Sequence, residues 1–151
     1  MEREEFPQIW KKGCVDIRIL LADDQQSARE SVRALLEKED DMDVVGEAAD
    51  GQTAVRLARE LQPDIVIMDV VMPIMNGIEA TRQIVAEVPG VKIIAFSMHS
   101  RKTFVKGMLK AGASGYVLKN CMLEELTRAI RTVVSNRVYV SPAIAGIAKD
   151  R

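Results

Sequence analysis

The chain alternates between two kinds of segment, and it does so five times. Short apolar runs cover Ile17–Ala22, Asp43–Ala48, Ile65–Met68, Lys92–Ser97 and Gly115–Leu118. Each is followed by a longer stretch whose apolar residues recur at spacings of three and four, the period of an amphipathic helix. The runs are too short for helices and mostly lack polar alternation, so they read as strands buried on both faces. Asp43–Ala48 is weakly apolar and reads as a strand near the sheet edge. The first helix is expected from about Ser27, with Ala28, Val32, Leu35 and Leu36 on one face; Ser27 and Glu30 have capping-box spacing. Further helices are expected at about Gln52–Leu61, Ile78–Glu87, Lys102–Ala111 and Leu123–Val134, stopped in turn by Pro63, Pro89-Gly90 and Gly112 where such residues follow. Strand-then-helix repeats of this kind demand an α/β fold: a doubly wound, five-stranded parallel sheet with helices on both faces. Right-handed crossovers then bring every strand's C-terminal end to one rim.

The residues on that rim are chemically selective. Asp23-Asp24 follows the first strand, Asp69 the third, Ser97 closes the fourth, and Lys119 follows the fifth. The C-terminal rim is where open α/β sheets bind ligands. Singly, an aspartate after a strand is an ordinary turn or cap residue; several at the ends of one parallel sheet are a different matter. Two carboxylates about 4 Å apart repel by roughly 4 kcal/mol at an effective dielectric near 20, so the cluster calls for a cation. Mg²⁺ suits it, being hard, octahedral and oxygen-seeking. Asp23 or Asp24, Asp69, and a backbone carbonyl of the following loop, at Val71, form the expected ligand set. A metal-bound Asp69 is a plausible nucleophile toward a phosphoryl group, with Lys119 for the phosphoryl oxygens and Ser97 as a hydroxyl donor. Gly51 and Gly77 read as turn residues ahead of helices, and Pro73 as a stiffener of the loop. His99 reads as exposed and non-catalytic. Met72, Met75 and Met98 read as loop packing.

At 151 residues, with a sparse aromatic content of 4%, the chain suits one domain with an aliphatic core. No apolar run approaches the ~18 residues needed to span a bilayer. The acidic start, Met1-Glu-Arg-Glu-Glu5, lacks a signal-peptide pattern, so a cytoplasmic protein is expected. Cys14 and Cys121 read as plain thiols. Net charge is −1 but uneven: residues 1–91 carry 10 Lys/Arg against 19 Asp/Glu, and residues 92–137 carry 9 against 2. The basic half is either a solvated surface or a docking face for an acidic partner; the overall balance excludes an ordinary DNA binder. Residues 1–15 read as an extension and 16–136 as the main domain. Residues 137–151 read as a linker or the start of a helix, with Ser141 as N-cap and Pro142 at N1, leading to a further domain that is missing.

Taken in order, Asp23-Asp24, Asp69 with Met72-Pro73 and Gly77, Ser97 and Lys119 resemble the receiver domain of bacterial two-component response regulators, over about Ile17–Val134. Phe96-Ser-Met-His99 and Lys110–Lys119 are similar to the NarL/FixJ subfamily, which joins a receiver to a DNA-binding helix-turn-helix. The resemblance implies strand order 2-1-3-4-5, and phosphoryl transfer from a sensor histidine kinase onto Asp69. It implies Mg²⁺ on Asp23 and Asp24, directly or through water, Ser97 as the switch hydroxyl, and Tyr116 as the aromatic that rotates inward with it. It further implies a phosphoacceptor rather than a true enzyme. Output would pass through the fourth helix and fifth strand, or the first and fifth helices, with dimerisation on phosphorylation and DNA contact only through the missing domain. Val71 and His99 flank the phosphate in this family, and Val71 cannot hold an attacking water, which implies a long-lived phosphoryl state. Competing readings are a stand-alone receiver, a Mg²⁺-dependent aspartyl-phosphate phosphatase, and a flavodoxin-like nucleotide binder. The phosphatase lacks the expected Asp-x-Asp-x-Thr, since Asp69 is followed by Val-Val-Met-Pro73. The nucleotide binder lacks a glycine-rich loop after the first strand.

Overall fold

The computed structural model describes residues 16–149; the extension expected over residues 1–15, with Cys14, lies outside them. In chain order the elements are β1 (Ile17–Ala22), α1 (Gln26–Leu36), β2 (Met42–Ala48), α2 (Gly51–Leu61), β3 (Ile65–Met68), α3 (Gly77–Glu87), β4 (Lys92–Ser97), α4 (Lys102–Ala111), β5 (Gly115–Leu118), α5 (Leu123–Val134), β6 (Tyr139–Val140), a 3₁₀ turn (Pro142–Ile144) and α6 (Ala145–Lys149). The strands are all parallel and lie in the order β2-β1-β3-β4-β5-β6.

Alternate residues of each strand feed two separate cores. Ile19, Leu21, Ile65, Ile67, Ile94, Phe96 and Val117 face α1 and α5, meeting Val32, Leu36, Leu126 and Ile130. Leu20, Ala22, Val66, Met68, Ile93, Ala95 and Tyr116 face the opposite layer, meeting Ala54 and Ala58 of α2, Ala80 and Ile84 of α3, and Val105 and Met108 of α4. Burial on both faces is why β1, β3, β4 and β5 read as nearly continuous apolar runs. β2 is only partly buried along most of its length, as suits an edge strand.

The expected count of five strands is corrected to six. Tyr139 pairs with Gly115 and Val140 with Tyr116, in parallel with β5. Two residues carry no readable periodicity, so only the exposed edge of β5 reveals that they form a strand. Beyond it Ile144 is buried in the α2–α4 core. Pro142 does occupy a first-turn position, but Ser141 makes no side-chain cap. Its hydroxyl instead accepts from the Leu118 amide and donates to Glu125.

Two further local readings change. The Ser27–Glu30 capping box does not form: α1 starts at Gln26, its N-cap Gln25 makes no side-chain cap, and Glu30 accepts from Gln26 instead. Gly51 and Gly77 are not turn residues but first residues of helices, capped by Asp50 and Asn76, whose side chains accept from Thr53 and Glu79 amides. Gly77 is required by a close approach rather than by its dihedrals, since a Cβ there would sit 2.0 Å from the Asp69 carbonyl oxygen.

Candidate functional site

Strand register brings the site together. Ala22 pairs with Met68, Met68 with Ala95, and Ser97 with Leu118. The residues just past these positions therefore emerge side by side. The Asp23 amide donates to Ala48 O (3.0 Å) and the Asp69 amide to Ala22 O (2.9 Å), so each aspartate is still held by the ladder as it leaves its strand. The Asp69 loop then folds back on itself. Val70 N–H donates to Asp69 Oδ1 (2.7 Å), Gly77 N–H to Val70 O (2.7 Å) and Met75 N–H to Pro73 O (2.7 Å).

Asp23, Asp24 and Asp69 each present a carboxylate oxygen, and all these oxygens lie within 4.8 Å of one another. Asp23 and Asp69 are buried and Asp24 is exposed. An all-oxygen anionic set of this size and partial exposure fits a small hard divalent cation that keeps some of its water. Lys119 Nζ reaches over the cluster, donating to Asp23 Oδ2 and to Asp69 Oδ2 (3.3 Å). Burial pushes the Asp69 carboxyl above its usual range and the Asp23 charge adds to this, against the opposing pull of the Lys119 ammonium. For Lys119, burial works against the charge, but the Asp23 hydrogen bond and the charges of Asp69 and Asp23 outweigh it and raise its pKa. The arrangement is an electrostatically loaded pocket able to take up positive charge and to offer Asp69 as a nucleophile.

The other expected site residues border this cluster. Ser97 is buried at the end of β4, and its Oγ accepts from the His99 amide (3.1 Å) rather than reaching Asp69. Tyr116 is fully buried with its hydroxyl donating to His99 O (2.6 Å); burial, opposed by the Ser97 hydroxyl, pushes its phenol up to about 12. Val71 is half exposed and lines the mouth of the pocket with Asp24, Asp69, Met98, His99 and Lys119. His99 is thus beside the pocket, its ring packed on Phe104 with centroids 4.9 Å apart. Arg29 was not singled out from the sequence: it hydrogen-bonds the Asp23 carbonyl (2.6 Å). A readable signal existed, because a cation in the N-terminal part of a helix opposes the helix dipole and so calls for a tertiary partner.

Residues 19–131 match the model of the response regulator receiver domain, and the chain belongs to that family. It is 40% identical over 129 residues to the response regulator GacA of Pseudomonas viridiflava, covering 85% of this chain and 60% of that protein. It is 42% identical over 135 residues to the transcriptional regulatory protein LiaR of Bacillus subtilis, covering 89% and 64%. The chain thus spans roughly three fifths of these relatives' length. Among solved structures, a two-component response regulator of the LuxR family from Aurantimonas sp. SI85-9A1 superposes with a TM-score of 0.84 at 44% identity, covering 90% of this chain and 98% of that one. Membership in the receiver family implies phosphorylation-dependent signalling; receivers are generally phosphoacceptors that bind Mg²⁺ at an acidic pocket. Among the described residues no helix is long and apolar enough to cross a membrane.

Proposed function

We propose that Asp69 accepts a phosphoryl group from a phosphohistidine of a sensor kinase, and that the loaded state controls transcription. The observation that carries this is the three-carboxylate cluster at the sheet rim with Lys119 spanning Asp23 and Asp69. An Asp69 carboxylate oxygen attacks phosphorus as the phosphorus–nitrogen bond of the donor breaks, and the electron pair leaves with the imidazole. Asp23, Asp24, Asp69 and the Val71 carbonyl are the proposed Mg²⁺ holders; bound there, the ion would neutralise charge gathering on the phosphoryl oxygens. Lys119 is positioned to pair with the same oxygens. Such transfer needs positioning and charge neutralisation more than covalent help from the protein.

A loaded Asp69 carries close to two extra negative charges and strong acceptor oxygens. In this reading Ser97 leaves its contact with the His99 amide to bond the phosphoryl group; the expected inward rotation of Tyr116 is replaced by retention, because its ring is already buried and its hydroxyl donates to the His99 carbonyl. The α4–β5–α5 face is then rebalanced between two packings, and output follows by that face or by dimerisation. Transcription is proposed because relatives such as LiaR are transcriptional regulatory proteins; DNA would be contacted through a domain outside this chain. The same reading makes the chain a cytoplasmic phosphoacceptor without turnover on a separate substrate.

The test is intact mass after incubation with Mg²⁺ and phosphoramidate. Wild type should gain one phosphate and Asp69→Asn none. A folded wild type that gains nothing would end the reading.

A further inference from the structure

We propose that Arg29 is a positioning residue for the acidic pocket, holding the Asp23–Asp24 peptide in the orientation that presents both carboxylates to a divalent cation. The inference rests on the proposed Mg²⁺ site and concerns a residue outside its ligand set. The turn between β1 and α1 is only three residues long, Asp23 to Gln25, and the backbone groups of Asp23 and Gln25 are held by hydrogen bonds. The Asp23 amide bonds Ala48 O, and the Gln25 amide bonds Asp23 Oδ1 (2.9 Å). The Asp23 carbonyl, in the same turn, accepts from Arg29 Nη1 at 2.6 Å.

Arg29 is itself braced. Its Nε donates to Glu47 Oε1 (2.8 Å), and the second oxygen of Glu47 accepts from Arg33 Nε (2.7 Å). Burial works to raise the Glu47 pKa, but the two guanidinium hydrogen bonds outweigh it and hold the carboxyl below its usual range, so Glu47 stays charged as the anchor. A continuous path therefore runs from the edge strand β2, through one planar fork, to the peptide joining two of the three clustered aspartates. The Arg29 side chain is largely shielded from solvent and borders the small cavity behind Asp69 that Phe96 and Ile67 also line. A guanidinium can hold two acceptors in fixed geometry; a lysine ammonium at the same place keeps the charge and loses the fork.

Charge and positioning make opposite demands here, which makes the role testable. If Arg29 were only a nearby positive charge, removing it would strengthen binding of a second cation. If it positions the aspartates, losing the fork weakens that binding whether or not the charge remains. The experiment is a Mg²⁺ titration of the full chain followed by amide NMR, with phosphorylation by phosphoramidate measured across the same Mg²⁺ range. Arg29→Lys should raise the Mg²⁺ Kd roughly tenfold, the scale on which losing a partner of a metal ligand acts, while phosphorylation at saturating Mg²⁺ stays near the wild-type rate. Glu47→Gln, which leaves Arg29 in place without its anchor, should shift the Kd in the same direction by less and serves where an Arg29 variant is poorly folded. An unchanged Kd in folded Arg29→Lys, or a tighter one in Arg29→Gln, overturns the positioning role. A wild type that binds no Mg²⁺ would remove the metal site itself, a different failure that the wild-type titration alone reveals.

Discussion

Val71 and Gly77 sit at opposite ends of the loop that carries Asp69, and each limits it differently. Val71 is 48% exposed at the pocket mouth and offers no hydrogen-bonding side chain to a water approaching Asp69. Val71→Asn supplies one, so the phosphoryl state should decay several-fold faster, measured as loss of the phosphorylated mass after donor removal; an unchanged decay rate would show that Val71 does not set the lifetime. Between them, Ile74 adopts a left-handed backbone (φ 70°) although it is β-branched and 77% exposed. Side chains of that kind rarely occupy this region, so the loop that follows Asp69 holds local strain. That Asp23, Asp69, Ser97 and Lys119 meet at one rim was legible in the sequence because each stands directly at the end of an apolar run. For Arg29 the helix position signals only that some partner is needed; which one was not legible, because the Asp23 carbonyl is a backbone atom and Glu47 lies on β2, distant in sequence.

At the level of elements, the α3 N-terminus is built against the active loop rather than merely after it. Gly77 packs on the Asp69 carbonyl while Asn76 caps the helix. Gly77→Ala forces a methyl into that backbone contact and should destabilise the domain by about 2–3 kcal/mol, the upper range for overpacking, read as a shifted urea midpoint. It should also slow phosphorylation in whatever protein remains folded. Near-wild-type values for both would mean the loop can retreat without displacing Asp69. β3, β4, α4, β5 and α5 were read with their observed bounds because buried-strand runs and 3.6-residue periodicity are strong signals. The α1 start was misread because Ser27 and Glu30 have the right spacing, while Gln26 one step earlier takes Glu30 for itself. β6 was missed because its identity lies in its partner, the edge of β5, and not in its own two residues.

Across the whole molecule, the acidic and basic halves of the sequence meet as well as separate. Arg131 on α5 pairs with Glu39 and Asp41 ahead of β2, fastening the last long helix to the first βαβ unit. The opposite side of the sheet is closed by the segment after α5. Tyr139 donates to Glu125, Ser141 is buried, and Ile144 fills the α2–α4 core. Deleting residues 138–149 should therefore lower the melting temperature and leave β5 as a bare edge, a template for association. Scanning calorimetry with size analysis checks both effects; an unchanged melting temperature and a monodisperse product would show this segment to be dispensable for the fold. The same closure has a mechanical consequence. By the covalent path, Lys119 and Ser141 are separated by all of α5. Through hydrogen bonds the distance is one peptide, since Ser141 grips the Leu118 amide with its side chain and the Tyr116 carbonyl with its own amide. A tug on the chain beyond α6 is thus borne by β5 before α5 need unwind, and it arrives one residue from the ammonium that lies over Asp69.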